Sequence, residues 1–401
     1  MRKPSVNKKL LVPGFMFSGI SVGIKKKTNK PDLGIIFSEK PANIAGVFTT
    51  NKVKAAPVKL DIKRIRSGKG QAIIINSGNA NACTGETGLK DASEMTRLTA
   101  KELGIRNNLV YVSSTGIIGI PLPMAKIRKA IPDAVKMLSP LSLDRISLAI
   151  MTTDTFPKVV SKKIRIGSKV GTIAGIAKGS GMISPNMATM LSYIVTDIDI
   201  TPKALDYALK AAVKQSFNRL VVDNDMSTND TVMIMANGML GNIPITRKSS
   251  DYKVFEDALI ELTYNLAKMI AIDGEGATKL IEVKVKGAKT EEDAEDIARA
   301  IASSMLVKTA IYGQDPNWGR IISAIGYAGV DINENKIEIY INKCKIVSNG
   351  IRNSKTKISR NLFANKEINI TVNIGLGKRC ASILTCDLTE KYIKINAEYS
   401  T

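Results

Sequence analysis

The polar, glycine-rich run from Lys178 to Leu191 holds the residue whose chemistry is most distinctive. Its glycines and Pro185 favour a loop, and Thr189 stands between that loop and an apolar run that predicts a strand. A threonine at this place is ordinary as the residue that opens a strand. If the peptide bond between Ala188 and Thr189 were broken, the same threonine would carry a hydroxyl and a free α-amine.

An N-terminal threonine suits this chain because the sequence contains no histidine. Serine–histidine and cysteine–histidine catalysis and imidazole metal sites are therefore excluded within it. An α-amine has an unperturbed pKa of about 7.7–8.0, so it accepts and returns a proton near neutrality with little penalty. Thr189 would thus be both nucleophile and base.

Four other runs are rich in glycine and short polar residues: 76–85, 113–119, 151–155 and 315–320. Each one alone is typical of a turn. Their number favours a site assembled from loops on a rigid scaffold.

These motifs are similar to those of a known family. KGSGMISPNMATML, TTDT, STGIIG, SGNANACTG, DPNWGRI and the final residues 396–401 resemble the ornithine acetyltransferases, the glutamate N-acetyltransferases of arginine biosynthesis. The resemblance runs from Pro13 to the last residue. In that family the precursor cleaves itself at the Ala-Thr bond of the M-A-T-M-L motif, which is Ala188–Thr189 here.

The resemblance implies a role for each matching residue. Thr189 is the implied nucleophile, and Thr115 with Gly116 is the implied oxyanion hole, where one donor typically contributes about 2.7–4 kcal/mol. The implied substrate contacts are Thr152, Lys178, Thr189, Glu275, Asn396 and Thr401. A lysine suits a substrate carboxylate, and a carboxylate between two glycines suits the side-chain ammonium of ornithine.

Several of these assignments have alternatives. Lys178 could be one more surface lysine, and Glu275 a solvated loop carboxylate. Thr152 and Thr153 are interpreted as adjacent strand residues, which face opposite ways, so only one of them is expected to point into the site, and we favour Thr152. The run 315–320 is interpreted as packing rather than chemistry.

The implied activity is transfer of an acetyl group from N-acetylornithine to glutamate by a ping-pong mechanism through an acetyl-Thr189 intermediate. No metal or bound cofactor is expected, and whether acetyl-CoA also serves as a donor stays open. One alternative is a self-processing aminopeptidase of similar architecture, in which water resolves the acyl-enzyme. Another is a basic nucleic-acid-binding protein.

Composition argues against the second alternative. The 401 residues carry a net charge of +22, but aromatic residues make up only 5% and the basic residues are scattered, so solvated lysines are expected rather than a nucleic-acid face. No apolar run approaches the length of a membrane span. The four cysteines show no C-x-x-C pairing, which favours free thiols.

The N-terminus imitates a signal peptide, with a basic segment 1–9 before a largely apolar segment 10–24. Pro13-Gly14 interrupts the apolar run, so we predict a strand-turn-strand entry and a cytoplasmic protein.

Hydrophobic periodicity predicts the elements that must position these residues. Alternation or apolar runs predict strands over 71–76, 281–286, 337–342 and 368–374. Helical spacing predicts helices over 86–103, after Pro202, from Phe255 to Ile270, and after a Thr290/Asp293 cap.

The predicted fold class is α/β: a layered αββα-type sandwich resembling the ornithine acetyltransferase and DmpA-like fold, with a smaller C-terminal α+β subdomain over about 281–401. The resemblance implies an α chain 1–188 and a β chain 189–401 that stay interlocked in a heterotetramer of two of each.

Overall fold

The computed structural model describes residues 11–25, 29–184, 190–357 and 359–398. The predictions that concern residues 1–9, Ala188, Thr189 and Thr401 therefore lie outside the described residues.

A large mixed sheet forms the centre of the fold. Its strands are β1 (Phe15–Ile20), β2 (Leu33–Phe48), β3 (Lys69–Asn79), β4 (Val110–Ile117), β5 (Lys158–Ile166), β6 (Lys169–Lys178), β7 (Leu191–Thr196) and β8 (Thr231–Ala236). Their spatial order is β4-β3-β2-β8-β7-β6-β5, and β1 pairs with β2. The pairs β3–β4 and β7–β8 are parallel, and the others are antiparallel.

Helices cover this sheet because their apolar stripes need a partner surface. They are α1 (Ala56–Arg64), α2 (Gly85–Leu103), α3 (Met124–Lys136), α4 (Leu143–Ala149), α5 (Pro202–Gln215) and α6 (Asp251–Ile272). The predicted stripe Leu205, Leu209, Ala212 is fully buried in one core with α6 and the middle strands. A second core joins β1 and α4 to the sheet, and a third lies under α2 and α3.

A second, smaller sheet follows in the sequence. Its strands are β9 (Leu280–Ala288), β10 (Glu338–Ile341), β11 (Cys344–Ser348), β12 (Ile351–Arg352), β13 (Glu367–Asn373) and β14 (Arg379–Cys386), in the order β12-β11-β10-β13-β9-β14. Its helices are α7 (Glu291–Ser303), α8 (Met305–Tyr312), α9 (Trp318–Gly326) and α10 (Glu390–Glu398). It has its own apolar core. The predicted cap of α7 is present, since Thr290 and Asp293 form a capping box.

Strands from both sides of residue 189 share the large sheet. β7 and β8 lie between β2 on one side and β6 on the other. The predicted α/β class is confirmed, whereas the chain boundary at 188/189 and the subdomain boundary near 281 remain predictions.

Candidate active site

Six predicted site residues line one cavity of about 130 Å³. They come from five separate parts of the chain, which only the fold brings together. These residues are Thr115, Gly116, Thr152, Lys178, Glu275 and Asn396. Its other lining residues are Ala80, Ile118, Thr153, Gly181, Met182, Ser227, Thr228 and Asn229.

A larger cavity of about 310 Å³ lies elsewhere. It is lined by residues at the C-terminal end of α5, on α6, and on strands β9 and β14. None of the predicted site residues that the structure describes lines it. Cavity size alone would therefore select a different place from the one that the sequence motifs select.

Thr115 and Gly116 lie at the end of β4, where it runs parallel to β3. Gly116 has φ 134°, in the region that favours glycine, and it pairs with Gly78. The side-chain amide of Asn229 donates to the Ser114 carbonyl at 2.8 Å and to the Ala80 carbonyl at 2.7 Å, which fixes this strand end. These two hydrogen bonds connect the end of β4 to the segments that carry Ala80 and Asn229.

Lys178 is the last residue of β6, and only 3% of it is exposed. Its Nζ donates to Thr115 Oγ1 at 3.2 Å, so the threonine hydroxyl keeps its own proton for another acceptor. Burial lowers the pKa of Lys178 from its ordinary value, and the carboxylate of Asp154 opposes that shift. This side chain is not one of the solvated surface lysines.

Thr152 and Thr153 both line the cavity. The expectation that only one can face it is wrong, because these residues form a bend after α4 rather than a strand. The Thr152 amide donates to Asp154 Oδ2 at 2.9 Å, and the Thr153 and Ser180 hydroxyls are hydrogen-bonded at 2.6 Å. Each threonine is thus held by a different neighbour.

Glu275 follows the end of α6 and faces Asn396 on α10. Asn396 Nδ2 donates to Glu275 Oε2 at 2.8 Å, and the Glu275 amide donates to the Ser180 carbonyl at 2.8 Å. A side chain on Gly181 would place Cβ within 2.6 Å of Glu275 Oε1, so only glycine leaves room for this carboxylate. Gly276 has φ 74°, a conformation that also favours glycine.

Ala188, Thr189 and Thr401 lie outside the described residues, but the chain next to the predicted cleavage point is described. Leu191 pairs directly with Lys178 across β6 and β7. The Met190 amide donates to Asp230 Oδ1 at 3.0 Å. Burial raises the pKa of Asp230 well above its ordinary value, and its second oxygen has no hydrogen-bond partner within the described part of the chain.

Three charged residues beside the cavity were not predicted from the sequence to have a role. Lys158 is fully buried between Asp154 at 2.7 Å and Asp273 at 2.6 Å. The TTDT motif contains Asp154, and Asp273 immediately precedes the Gly-Glu-Gly run. Both carboxylates could therefore have been noticed, whereas nothing local distinguishes Lys158 from the other lysines.

Among residues 11–25, 29–184, 190–357 and 359–398, no three acidic or cysteine side chains come close enough to hold a metal ion. None of the helices described is long and apolar enough to cross a membrane. Of the four cysteines, Cys83 and Cys380 are exposed and Cys386 is buried.

The chain resembles known proteins over almost its whole length. Residues 16–401 match the sequence model of the ArgJ family. The "Arginine biosynthesis bifunctional protein ArgJ" of Geobacter sulfurreducens is 49% identical over 97% of this chain and 100% of its own length. The protein of the same name from Caldanaerobacter subterraneus is 49% identical over 98% of both chains. A crystal structure of the Bacillus halodurans ArgJ protein has 44% identity and a TM-score of 0.50, and covers 53% of this chain and 100% of that chain.

Proposed function

The chain belongs to the ArgJ family of arginine-biosynthesis enzymes, and we propose that it transfers the acetyl group of N-acetylornithine to glutamate through an acetyl-Thr189 intermediate. The observation that carries the proposal is the convergence of six predicted site residues, from five parts of the chain, on one cavity. Leu191, two positions after Thr189, pairs with Lys178 in the same place. The proposed nucleophile, Thr189, is therefore only two residues along the chain from a residue that pairs with the cavity-lining Lys178.

Self-cleavage at Ala188–Thr189 first releases the α-amine of Thr189. The Thr189 hydroxyl then attacks the acetyl carbonyl, and its proton passes to the α-amine. The bond between the acetyl carbon and the ornithine nitrogen breaks, and that nitrogen takes the proton as ornithine leaves. The amine of glutamate attacks the resulting ester and departs as N-acetylglutamate, and its proton returns to the threonine oxygen.

Thr115 and Gly116 stabilise the negative oxygen that forms at each attack. The end of β4 is suited to this role because donors that are already oriented need no rearrangement when charge develops. The Thr115 hydroxyl accepts from Lys178 and retains a proton to donate. The same donors serve self-cleavage and acetyl transfer, since both pass through a tetrahedral intermediate.

Lys178 and Glu275 give the cavity one cationic and one anionic lining group. N-acetylornithine carries one carboxylate and one side-chain ammonium. We infer that Lys178 binds the carboxylate and Glu275 the ammonium, with Asn396 orienting Glu275 through the 2.8 Å hydrogen bond. Thr152 and Thr401 complete the proposed substrate contacts.

We propose further that the two cleavage products remain one particle, because β7 and β8 are hydrogen-bonded between β2 and β6. The proposed assembly is a cytoplasmic heterotetramer of two 1–188 and two 189–401 chains. Acetyl-CoA as a second donor is a separate activity, suggested by the word bifunctional in the relatives' names.

Intact mass under denaturing conditions, with N-terminal sequencing, tests the mechanism directly. We expect two chains, 1–188 and 189–401, that coelute without denaturant. Thr189→Ala should give one uncleaved chain without acetyl transfer, and Thr189→Ser, which keeps a hydroxyl, should still cleave. An active wild-type enzyme that consists of one uncut chain would refute the proposal, because an internal threonine has no free amine.

Glutamate dependence separates the proposal from the aminopeptidase alternative. Incubation with N-acetylornithine and glutamate should give N-acetylglutamate and ornithine in equal amounts. Release of free acetate at a rate that does not depend on the glutamate concentration would favour hydrolysis, as expected for the aminopeptidase alternative.

A further inference from the structure

Three charged side chains form a buried charge triad beside the cavity: Asp154, Lys158 and Asp273. Lys158 Nζ lies 2.7 Å from Asp154 Oδ1 and 2.6 Å from Asp273 Oδ2, and the exposed fractions of the three side chains are 0–2%. Burial of charge is unfavourable unless it is compensated, so this cluster requires an explanation. The proposed reaction uses none of the three side chains directly.

The triad connects the segments that carry the substrate contacts. Asp154 accepts from the Thr152 amide at 2.9 Å and from the Gly179 amide at 2.7 Å, and Gly179 directly follows Lys178. Asp273 accepts from the Thr155 amide at 3.0 Å and from its hydroxyl, and it lies two positions before Glu275.

The charges of the triad do not cancel. Two carboxylates face one ammonium, which leaves one surplus negative charge among side chains that are almost fully buried. Lys178 supplies a second buried cation beside Asp154, so the group of four is neutral only while Lys178 is protonated.

Other charged groups also face Lys178. Within residues 11–25, 29–184, 190–357 and 359–398, the charged groups that act on it are Asp154, Lys158, Asp230, Glu275 and, from the N-terminal segment, Lys25. Burial raises the pKa of Asp230 well above its ordinary value, which weakens its contribution as an anion. Glu275 already interacts with Asn396. Among the anionic groups of the described residues, Asp154 therefore has the strongest influence on Lys178.

We propose that the buried charge triad is a positioning device: Lys158 holds Asp154, and Asp154 places the surplus negative charge beside Lys178 and fixes the backbone next to it through the Gly179 amide, so that the Lys178 side chain is held toward the cavity. The proposal rests on the proposed function only where it names Lys178 as the anchor of the substrate carboxylate.

The directions of the pKa shifts of Asp154 and Lys178 agree with this geometry. Burial alone would raise the pKa of Asp154, but Lys158, Lys178 and the Gly179 amide outweigh it and hold that pKa below its ordinary value. Burial lowers the pKa of Lys178, and Asp154 is the strongest opposing influence. Without Asp154, Lys178 should lose its proton at a lower pH.

Thermal unfolding tests the charge balance between the triad and Lys178, and this measurement does not depend on enzymatic activity. All variants carry Thr189→Ala, so that the chain is uncleaved throughout. Asp154→Asn leaves two buried ammonium groups against one carboxylate, whereas Asp154→Asn combined with Lys178→Met leaves the neutral pair of Lys158 and Asp273. We therefore expect the double variant to melt at a higher temperature than Asp154→Asn alone.

A matched control uses Lys308, another buried lysine, which bonds Thr385 and Cys386 rather than the triad. Asp154→Asn combined with Lys308→Met should be no more stable than Asp154→Asn. The proposal is overturned if the Lys178 double variant is no more stable than Asp154→Asn or does not fold, or if the Lys308 variant gives the same rescue.

The pH dependence of KM, measured in the cleaved enzyme, tests the link to substrate. In Asp154→Asn, the rise of KM for N-acetylornithine at alkaline pH should begin at a lower pH than in wild type, with a smaller change in kcat. Asp273→Asn removes the triad carboxylate that bonds the Thr155 amide rather than the Gly179 amide next to Lys178, and it should shift the alkaline rise of KM less. If the pH at which KM rises shifts equally in the two variants, or does not shift in Asp154→Asn, the triad does not position Lys178 and the proposal is overturned. A wild-type enzyme without acetyl transfer would instead contradict the proposed function and leave the unfolding result standing.

Discussion

Replacing Gly116 by alanine should disable the oxyanion hole while leaving the rest of the cavity in place. A Cβ at this position would lie 2.5 Å from the Asn79 nitrogen and closer still to the Gly78 carbonyl carbon, whereas ordinary contacts begin near 3.4 Å. Both atoms belong to the backbone of β3, which no side-chain rotation can clear. The end of β4 must therefore move by about 1 Å. Alanine also disfavours φ 134°, which adds strain.

The size of the effect follows from that displacement. A misplacement of about 1 Å in an active site can lower the rate about 10²-fold, and loss of one oxyanion donor lowers kcat by about 10²–10³. We expect kcat for acetyl transfer in Gly116→Ala to fall by about 10²–10³, with a smaller change in KM. Ornithine release at saturating N-acetylornithine and glutamate measures it. A denaturing gel should show slower self-cleavage in parallel.

Gly119, which follows the end of β4, is the matched control. It too has a positive φ, 84°, but a Cβ there would meet no heavy atom within 4 Å. Gly119→Ala therefore introduces backbone strain of about 1 kcal/mol without a collision. If folded Gly116→Ala keeps kcat within fivefold of wild type, or if Gly119→Ala is equally impaired, the oxyanion assignment is wrong.

Three further predictions concern other parts of the site and the fold. Gly181→Ala should raise KM for N-acetylornithine several-fold, because its Cβ would displace the Glu275 carboxylate; an unchanged KM would show that Glu275 does not bind substrate. Burial lowers the pKa of Lys25 to about 8 from 10.5, so between these pH values the unfolded chain binds more protons than the fold and stability rises with pH. Lys25→Met should flatten that rise in urea unfolding between pH 8 and 10.5, and an identical slope in both proteins would contradict this. Burial raises the pKa of the Cys386 thiol, so iodoacetamide should label it only after unfolding, whereas the two exposed cysteines react in the native protein; peptide mass mapping distinguishes them.

Local structure was predicted well wherever the signal is local. The helix predicted over 86–103 is α2 (Gly85–Leu103), and the capping box of α7 was visible as a threonine three residues before an aspartate. Such features depend on neighbours three or four positions away, which the sequence displays directly.

The prediction that only one of Thr152 and Thr153 faces the site was wrong because it assumed that both lie on a strand. Alternation between faces holds only if the residues lie on a strand, and here the backbone bends after α4. The hydrogen bond from the Thr152 amide to the Asp154 carboxylate closes that bend. The same carboxylate also binds the Gly179 amide, 25 positions along the chain, a contact that no periodicity predicts.

The amino-acid sequence was enough to exclude imidazole chemistry and to select a threonine that could serve as its own base, because residue types are properties of the chain itself. Through the resemblance of its motifs to a known family, it also named Thr115, Lys178 and Glu275 as side chains of the same site. Only the folded molecule decided that these side chains share one cavity and that Lys158, one of 58 lysines and arginines, is sealed between two carboxylates. Lys158 and Asp273 are 115 positions apart. Burial and distance over such separations depend on how the sheets and helices pack, and they determine whether a lysine is a solvated charge or part of a reaction site.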